Sequence, residues 1–222
     1  IEVTQEALAG DAEQASRIAL AMQRPVVMKI QSADIPHKTE AGGVRVGVQG
    51  SAQVKAAFEE ILGNARAYAP RARLDGVLVQ EMVCGGTELI LGINNDPLFG
   101  PAVMVGFGGI FAEVMKDVSF RLAPITRSEA QAMLRELRSF PILDGARGRP
   151  KADVQAVVDT LMRLSAMAVD LADELQEFDI NPLFVLQQGE GVRAGDARAK
   201  PIAVEVGTAA RHLPDGEALV YP

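Results

Sequence analysis

Cysteine and histidine are scarce in this sequence, whose 222 residues include one cysteine, Cys84, and two histidines. Because a disulfide needs two cysteines, no internal disulfide framework can form. So few sulfur and imidazole groups also cannot build the usual ligand sets of a zinc site. A single thiol fits a reducing compartment, and we therefore expect a cytoplasmic protein.

Long apolar segments and an excess of positive charge are missing as well. No run approaches the roughly 20 apolar residues of a membrane helix, and no charged segment followed by an apolar one opens the chain. The net charge is -7 and the pI is near 5.0, whereas proteins that bind phosphate backbones cluster Lys and Arg on their surface. We expect neither a membrane nor a nucleic acid as a partner.

The residues that are present are typical of a globular protein, with 48% hydrophobic and 23% charged side chains. This length and composition permit one large domain or two small lobes that share a cleft. Helical periodicity follows the possible N-cap residues Asp11, Ser51, Thr126 and Asp153, and the polar cluster over 94–97 predicts a turn. Because strands and helices do not alternate regularly, we predict an α+β fold with antiparallel sheets. Strands are predicted over 26–30, 44–48, 76–82, 87–93, 101–106, 112–122, 177–186 and 202–206.

A lysine lies in the middle of the first predicted strand. Lys29 belongs to the apolar run over 26–30, where an ammonium group must reach a cleft or an anion such as phosphate because its burial without a partner is costly. The pattern is also compatible with an edge strand whose lysine extends into water.

The loop over 31–43 places His37 beside Lys38, with Gly42 and Gly43 as a possible hinge. A neutral imidazole is a competent nucleophile near pH 7, and phosphoryl transfer depends mainly on positioning and on nearby positive charge, which Lys38 could supply. His37 is therefore a candidate phosphoryl acceptor, although a solvent-exposed loop histidine without a role fits the same pattern.

Two further groups suit a nucleotide with its metal. The glycine-rich loop over 106–109 is able to fold over phosphates through its backbone N–H groups, although tight turns also contain such glycines. Asn181 and Asp196, on the two arms of a predicted hairpin, can present oxygen atoms to one Mg²⁺ ion. The polar face of an ordinary hairpin is the alternative.

These segments, in this order, resemble the ATP-grasp domain of NDP-forming acyl-CoA synthetases, such as the beta subunit of ADP-forming acetyl-CoA synthetase. They resemble the ATP-grasp domain of succinyl-CoA synthetase more distantly. The resemblance implies an ATP-grasp fold, in which two lobes with mixed and antiparallel sheets enclose a nucleotide cleft. We expect one domain over 1–222, with an N-terminal lobe over about 1–80 that is truncated at its start, a C-terminal lobe over 81–206 and a tail over 207–222. The motifs that carry the resemblance are 26–30, 32–44, 79–82, 88–116, 178–183 and 196–198.

The resemblance also implies a role for each candidate residue. In this family a lysine contacts the ATP phosphates, a hinge segment lies beside adenine, and a loop histidine relays phosphate. The implied site residues are His37 as the phosphoryl acceptor; Lys29, Gln80, Glu81, Met82, Val83, Glu88, Gly108 and Gly109 for ATP or ADP; and Asn181 and Asp196 for Mg²⁺.

The implied reaction exchanges a phosphoryl group between Mg-ATP or Mg-ADP and a histidine during the interconversion of acyl-CoA and carboxylate. No G-x-G-x-x-G fingerprint of a Rossmann-like domain occurs in the sequence. We therefore expect the CoA-binding and phosphohistidine-bearing domains on a partner subunit or elsewhere in the same full-length chain. Two alternatives remain, a regulatory synthetase-like module of a protein-lysine acetyltransferase and an ATP-grasp carboxylate-amine ligase.

Overall fold

The computed structural model of the protein describes residues 1–108 and 117–202, apart from the side chain of Arg147. Gly109, the first residues of the strand expected at 112–122, all but the first residue of the strand expected at 202–206, and the expected tail over 207–222 lie outside these ranges.

Helices and strands are mixed along the chain, in agreement with the α+β class. The helices are α1 Ala12–Met22, α2 Ser51–Tyr68, α3 Arg127–Glu136, α4 Phe140–Leu143 and α5 Val154–Asp170, with a 3₁₀ turn at Ala146–Gly148. The strands are β1 Glu2–Val3, β2 Glu6–Ala9, β3 Val26–Gln31, β4 Val44–Val48, β5 Gly76–Glu81, β6 Thr87–Asp96, β7 Gly100–Phe107, β8 Val118–Leu122, β9 Leu175–Val185, β10 Val192–Ala194 and β11 Ala197–Pro201.

The smaller sheet has the antiparallel strand order β2, β5, β3 and β4, and α1 and α2 pack together against it. Val26, Met28 and Ile30 of β3 are fully buried in the core that these helices cover. Because side chains alternate along a strand, Lys29 lies on the opposite face. β3 has a neighbour on each side, so the edge-strand interpretation of Lys29 is wrong.

The larger sheet has the order β1, β10, β9, β6, β7 and β8, and β11 also pairs with β9. Its neighbouring strands are antiparallel, except that β1 runs parallel to β10. Leu89, Leu91 and Ile93 of β6 are buried in the second core, which α3, α4 and α5 complete. The exposed Glu88 lies on the other face of β6. Each sheet therefore has its own core, and a cleft can form between the sheets.

The structure differs from the sequence predictions at several element ends. Gly50, with φ of 78°, takes the N-cap position of α2, while the hydroxyl group of Ser51 bonds to that of Ser16 at 2.7 Å. The predicted turn over 94–97 begins later, because β6 extends to Asp96 and the Asp96 carboxylate accepts the N–H groups of the next turn. The short strands β1 and β2 were not predicted.

The strand predicted over 202–206 lies almost entirely outside the described residues and stays a prediction. Within the described residues β9 pairs with β6, β10 and β11, and the last two, which were not predicted as strands, precede residue 202. No helix within the described ranges combines the length and apolar character needed to cross a bilayer.

Candidate functional site

Lys29 joins the two sheets across the cleft. Its Nζ lies 3.6 Å from Oδ2 of Asp196 and 3.4 Å from the carbonyl oxygen of Gly195. The side chain of Lys29 is 14% exposed, and that of Asp196 is 46% exposed. An ammonium group on the small sheet therefore meets a carboxylate on the large sheet at the opening to solvent.

The backbone between β10 and β11 fixes Asp196 beside Asn181. The N–H group of Asn181 donates to the Asp196 carbonyl oxygen at 3.0 Å, and the N–H group of Gly195 donates to the Pro182 carbonyl oxygen at 2.9 Å. A Cβ atom at Gly195 would lie 2.6 Å from the ring of Phe184, so this position has no room for a side chain. The two predicted metal ligands are thus neighbours.

The donor set of Asn181 and Asp196 suits Mg²⁺, which prefers oxygen ligands and keeps positions for phosphates and water. In the described residues, no group of three or more His, Cys, Asp and Glu side chains is placed to hold a metal ion. Two protein oxygen ligands would leave the other coordination positions to phosphate oxygens and water.

His37 lies on the exposed part of its loop, with its side chain 70% exposed and Nδ1 3.9 Å from Oε1 of Glu40. The next residue points into the cleft, where Nζ of Lys38 lies 3.8 Å from Oδ2 of Asp196. Two ammonium groups therefore face the same carboxylate oxygen. The sequence showed that Lys38 was a nearby cation, but not that it reaches Asp196.

The C-terminal end of this loop is tied closely to β3. The N–H group of Gly43 donates to the carbonyl oxygen of Lys38, and the N–H group of Ile30 donates to that of Gly43, both at 2.8 Å. A Cβ atom at Gly43 would lie 2.5 Å from Cγ2 of Ile30. The close approach of the loop to β3 therefore accounts for a glycine at position 43, and the hinge suggested at Gly42 and Gly43 stays a prediction.

The N-terminal end of the loop is anchored to the segment before β5. The Ser32 hydroxyl group donates to the carbonyl oxygen of Arg73, and the N–H group of Arg73 donates to the Asp34 carboxylate, both at 2.7 Å. Ile35 is fully buried. His37 is therefore exposed on a loop whose two ends are held.

Gln80 and Glu81, predicted at the hinge, use their side chains to hold protein segments together. The buried Gln80 amide group lies within donor distance of the Gly195 carbonyl oxygen at 2.7 Å and of the Thr4 and Glu6 side-chain oxygens at 2.8 Å. This amide therefore links the small sheet to the residue that precedes Asp196.

Glu81 accepts hydrogen bonds from the Gln5 N–H group and from Nη1 of Arg24, both at 3.1 Å. No sequence pattern singled out Arg24, which precedes Pro25 at the end of the first helical segment. A cavity of about 390 Å³ opens beside this pair. The predicted hinge residues Glu81, Met82 and Val83, together with Cys84, line one part of it, and Leu186, Glu190 and Arg193 line another.

Glu88 and Gly108 lie together at the start of β6 and the end of β7. The N–H group of Gly108 donates to the Glu88 carbonyl oxygen at 2.8 Å, and a Cβ atom at Gly108 would lie 3.3 Å from Glu88 atoms. Gly108 is the last residue before the undescribed segment 109–116, which includes Gly109.

The other end of that segment is followed by a buried carboxylate. Asp117 accepts hydrogen bonds from the N–H groups of Arg138 and Ser139, both at 2.8 Å. Burial acts to raise the pKa of Asp117, but the bonds from Ser139 and Arg138 act more strongly, so the pKa is lowered overall. A charged Asp117 therefore fixes the start of β8 against the residues that follow α3.

Comparison with known proteins adds independent findings. The model of the ATP-grasp domain family matches residues 1–200. The chain is 43% identical over 198 residues to the beta subunit of ADP-forming acetate–CoA ligase II from Pyrococcus furiosus, covering 89% of this chain and 84% of that subunit. It is 47% identical over 192 residues to ADP-forming acetate–CoA ligase I from Archaeoglobus fulgidus, covering 86% of this chain but 28% of that protein.

A solved structure of the dinucleotide-forming acetyl-coenzyme A synthetase 1 of Ca. Korarchaeum cryptofilum has a similar fold. That protein is in complex with coenzyme A and Mg-AMPPCP, with its phosphohistidine segment pointing towards the nucleotide-binding site. The TM-score is 0.76 at 36% identity, over 91% of this chain and 86% of that chain. The present chain therefore corresponds to most of a separate subunit in some relatives and to about a quarter of a longer protein in another.

Proposed function

This chain belongs to the ATP-grasp domain family, in the group that contains the beta subunits of ADP-forming acetate–CoA ligases, and from this premise we propose that it is the nucleotide-binding part of an NDP-forming acyl-CoA synthetase. The expected ATP-grasp fold with two sheets is confirmed. The proposed activity is the exchange of a phosphoryl group between Mg-ATP or Mg-ADP and a histidine while acyl-CoA and carboxylate interconvert.

The approach of Lys29 to Asp196 across the cleft is the observation that carries this proposal. A triphosphate with its metal needs cationic groups for the phosphate oxygens and anionic oxygen for the metal. One of each occurs here, on different sheets, as an ion pair at 3.6 Å that a bound Mg-nucleotide would separate. The 390 Å³ cavity at the hinge is large enough to take the base of the nucleotide.

Asn181 and Asp196 are the residues that would hold Mg²⁺, and the ion when bound would neutralise part of the phosphate charge. Lys29 would bind phosphate oxygens from the other side. Gln80 contributes indirectly, because its amide holds the Gly195 carbonyl group and so fixes the residue before Asp196.

His37 is the proposed phosphoryl acceptor of this chain. The lone pair of one imidazole nitrogen forms the new N–P bond to the γ-phosphorus, while the bond to the bridging oxygen breaks and ADP leaves with that electron pair. The proton on the other ring nitrogen passes to solvent or to Glu40, whose Oε1 lies 3.9 Å from Nδ1. In the reverse direction the same nitrogen returns the group to ADP.

The remaining steps need domains that this chain does not supply. One relative is a beta subunit, and another is a protein of which this chain covers 28%, so related proteins carry further domains on a partner or on the same chain. We infer that a CoA-binding domain and a phosphohistidine-bearing domain complete the enzyme. The single Cys84 supports a cytoplasmic location.

The similar proteins described above are CoA ligases or synthetases. They favour the synthetase over the regulatory acetyltransferase module and over the carboxylate-amine ligase, which needs no histidine acceptor.

Calorimetric titration with Mg-ATP tests the proposed site. Lys29→Ala and Asp196→Ala should each weaken binding by about tenfold, which corresponds to about 1.4 kcal/mol. Lys55→Ala is the matched control, because Lys55 pairs with Glu13 on the helices of the small sheet. Unchanged affinity in both site variants would refute the assignment.

A further inference from the structure

Two lysine side chains in the cleft face one carboxylate oxygen. Nζ of Lys29 and Nζ of Lys38 lie 3.6 Å and 3.8 Å from the same oxygen of Asp196. Their side chains are 14% and 26% exposed. Among the described residues, two ammonium groups thus share one carboxylate oxygen, and an anionic ligand would balance the second positive charge.

Backbone hydrogen bonds tie the loop that carries the second lysine to the strand that carries the first. The carbonyl group of Lys38 accepts the Gly43 N–H group, and the carbonyl group of Gly43 accepts the N–H group of Ile30, the residue that follows Lys29. Two hydrogen bonds therefore connect the positions of the two lysines. An exposed surface lysine would need no such tie.

The two lysines differ in their position relative to His37, the proposed phosphoryl acceptor. Lys29 belongs to β3 in the middle of the small sheet. Lys38 directly follows His37 in the loop, so the same short segment carries the acceptor and a cation. The ammonium group of Lys38 points at Asp196, and the imidazole is exposed one residue before it. Lys38 thus contacts the proposed metal ligand and directly follows the proposed nucleophile in the sequence.

We propose that Lys38 is a further catalytic residue that binds the phosphoryl group in transfer, whereas Lys29 binds the phosphates that stay with the nucleotide. This inference rests on the proposed function. Negative charge spreads over the three equatorial oxygens of the transferring group, and a positioned ammonium group stabilises that charge. The γ-phosphorus exchanges its bond to the bridging oxygen for a bond to the imidazole nitrogen. Lys38 stays protonated throughout this step.

This division of roles predicts that Lys38 distinguishes ATP from ADP. Only ATP carries the group that Lys38 would bind, so its loss should weaken Mg-ATP binding and leave Mg-ADP binding almost unchanged. Lys29→Met should weaken both. If Lys38 only held Asp196 in place, its loss would weaken both nucleotides by the same factor.

Calorimetry on the full-length protein with Mg-ATP and with Mg-ADP tests the inference, together with the rate at which γ-labelled ATP labels His37. Lys38→Met should weaken Mg-ATP binding by about tenfold, change Mg-ADP binding by less than about twofold, and slow labelling by roughly a hundredfold. Lys38→Arg, which keeps the charge, should recover part of both losses. Lys55→Met is the control for removing a lysine from the surface.

The outcomes separate this inference from the proposed function. Equal loss of ATP and ADP affinity in Lys38→Met, or unchanged ATP affinity, would overturn the role of Lys38, while the Lys29 and Asp196 variants would still report on the nucleotide site. Absence of nucleotide binding by the wild-type protein would overturn both.

Discussion

Replacing Gly195 by alanine tests whether the junction between β10 and β11 holds the site together. A Cβ atom there would lie 2.6 Å from Cε2 of Phe184 and 3.3 Å from Pro182. The ring would have to retreat by roughly 0.8 Å to reach the 3.4 Å of an ordinary contact. Overpacking of this kind costs about 2 kcal/mol, which should lower the melting temperature by roughly 4 to 8 °C in a chain of this size.

The same change should also weaken nucleotide binding. The Gly195 carbonyl oxygen accepts hydrogen bonds from Lys29 and Gln80, and Asp196 is the next residue. A shift of a few tenths of an ångström would therefore move the carboxylate relative to the ammonium group that faces it. We expect Gly195→Ala to reduce Mg-ATP affinity by about tenfold, because precise placement controls the strength of such contacts.

Differential scanning calorimetry and a Mg-ATP titration measure the two effects. Gly63→Ala is the control, because a Cβ atom on this helical glycine meets nothing within 4 Å and should stabilise the protein by about 0.5 to 1 kcal/mol. Phe184→Leu removes the ring atom that clashes, so it should restore part of the stability in the Gly195→Ala background. If Gly195→Ala melted and bound nucleotide like the wild type, the reasoning about this junction would be refuted.

Three other predictions concern stability. Gln80→Ala should cost about 2 kcal/mol in urea unfolding, because the buried Gly195 carbonyl group and the Thr4 hydroxyl group lose a donor; a loss below about 0.5 kcal/mol would contradict this role. Thr126→Ala should cost about 1 kcal/mol in the same assay by removing the capping box of α3. Asp117→Asn should cost about 1 kcal/mol at pH 7, and the difference from wild type should shrink as the pH falls below about 4, the ordinary pKa of an aspartate. The reason is that the lowered pKa of Asp117 stabilises the fold at pH values above the ordinary pKa of an aspartate, and this contribution is lost as the carboxylate is protonated. A difference that stayed constant with pH would show that the charge of Asp117 is not involved.

Sequence patterns predicted the start of a helix correctly where the capping side chain bonds to the first turn of that helix. Asp11 and Asp153 accept the N–H groups three residues later, and Thr126 and Glu129 form both bonds of the capping box. The prediction of Ser51 as the N-cap of α2 was wrong, because a serine at the first helical residue gives the same sequence pattern as a serine at the N-cap. The positive φ of Gly50 and the distant partner Ser16 decided the position instead.

Pairings between distant parts of the chain could not be derived from such patterns. Lys29 and Asp196 are on different sheets, and only the resemblance to a family suggested that they share one site. Nothing local indicated that Arg24 would pair with Glu81 or that Lys38 would reach Asp196. These contacts depend on how the sheets pack and on how the loop over 31–43 is tied to β3.

A structure of the protein with Mg²⁺ and a non-hydrolysable ATP analogue tests the central claim most directly. We predict a metal ion at about 2.0–2.1 Å from oxygen atoms of Asn181 and Asp196, with phosphate oxygens completing its coordination. The Lys29 ammonium group should lie within about 3.2 Å of a phosphate oxygen. A nucleotide bound elsewhere, with Lys29 still paired to Asp196 and no metal between the sheets, would contradict the account.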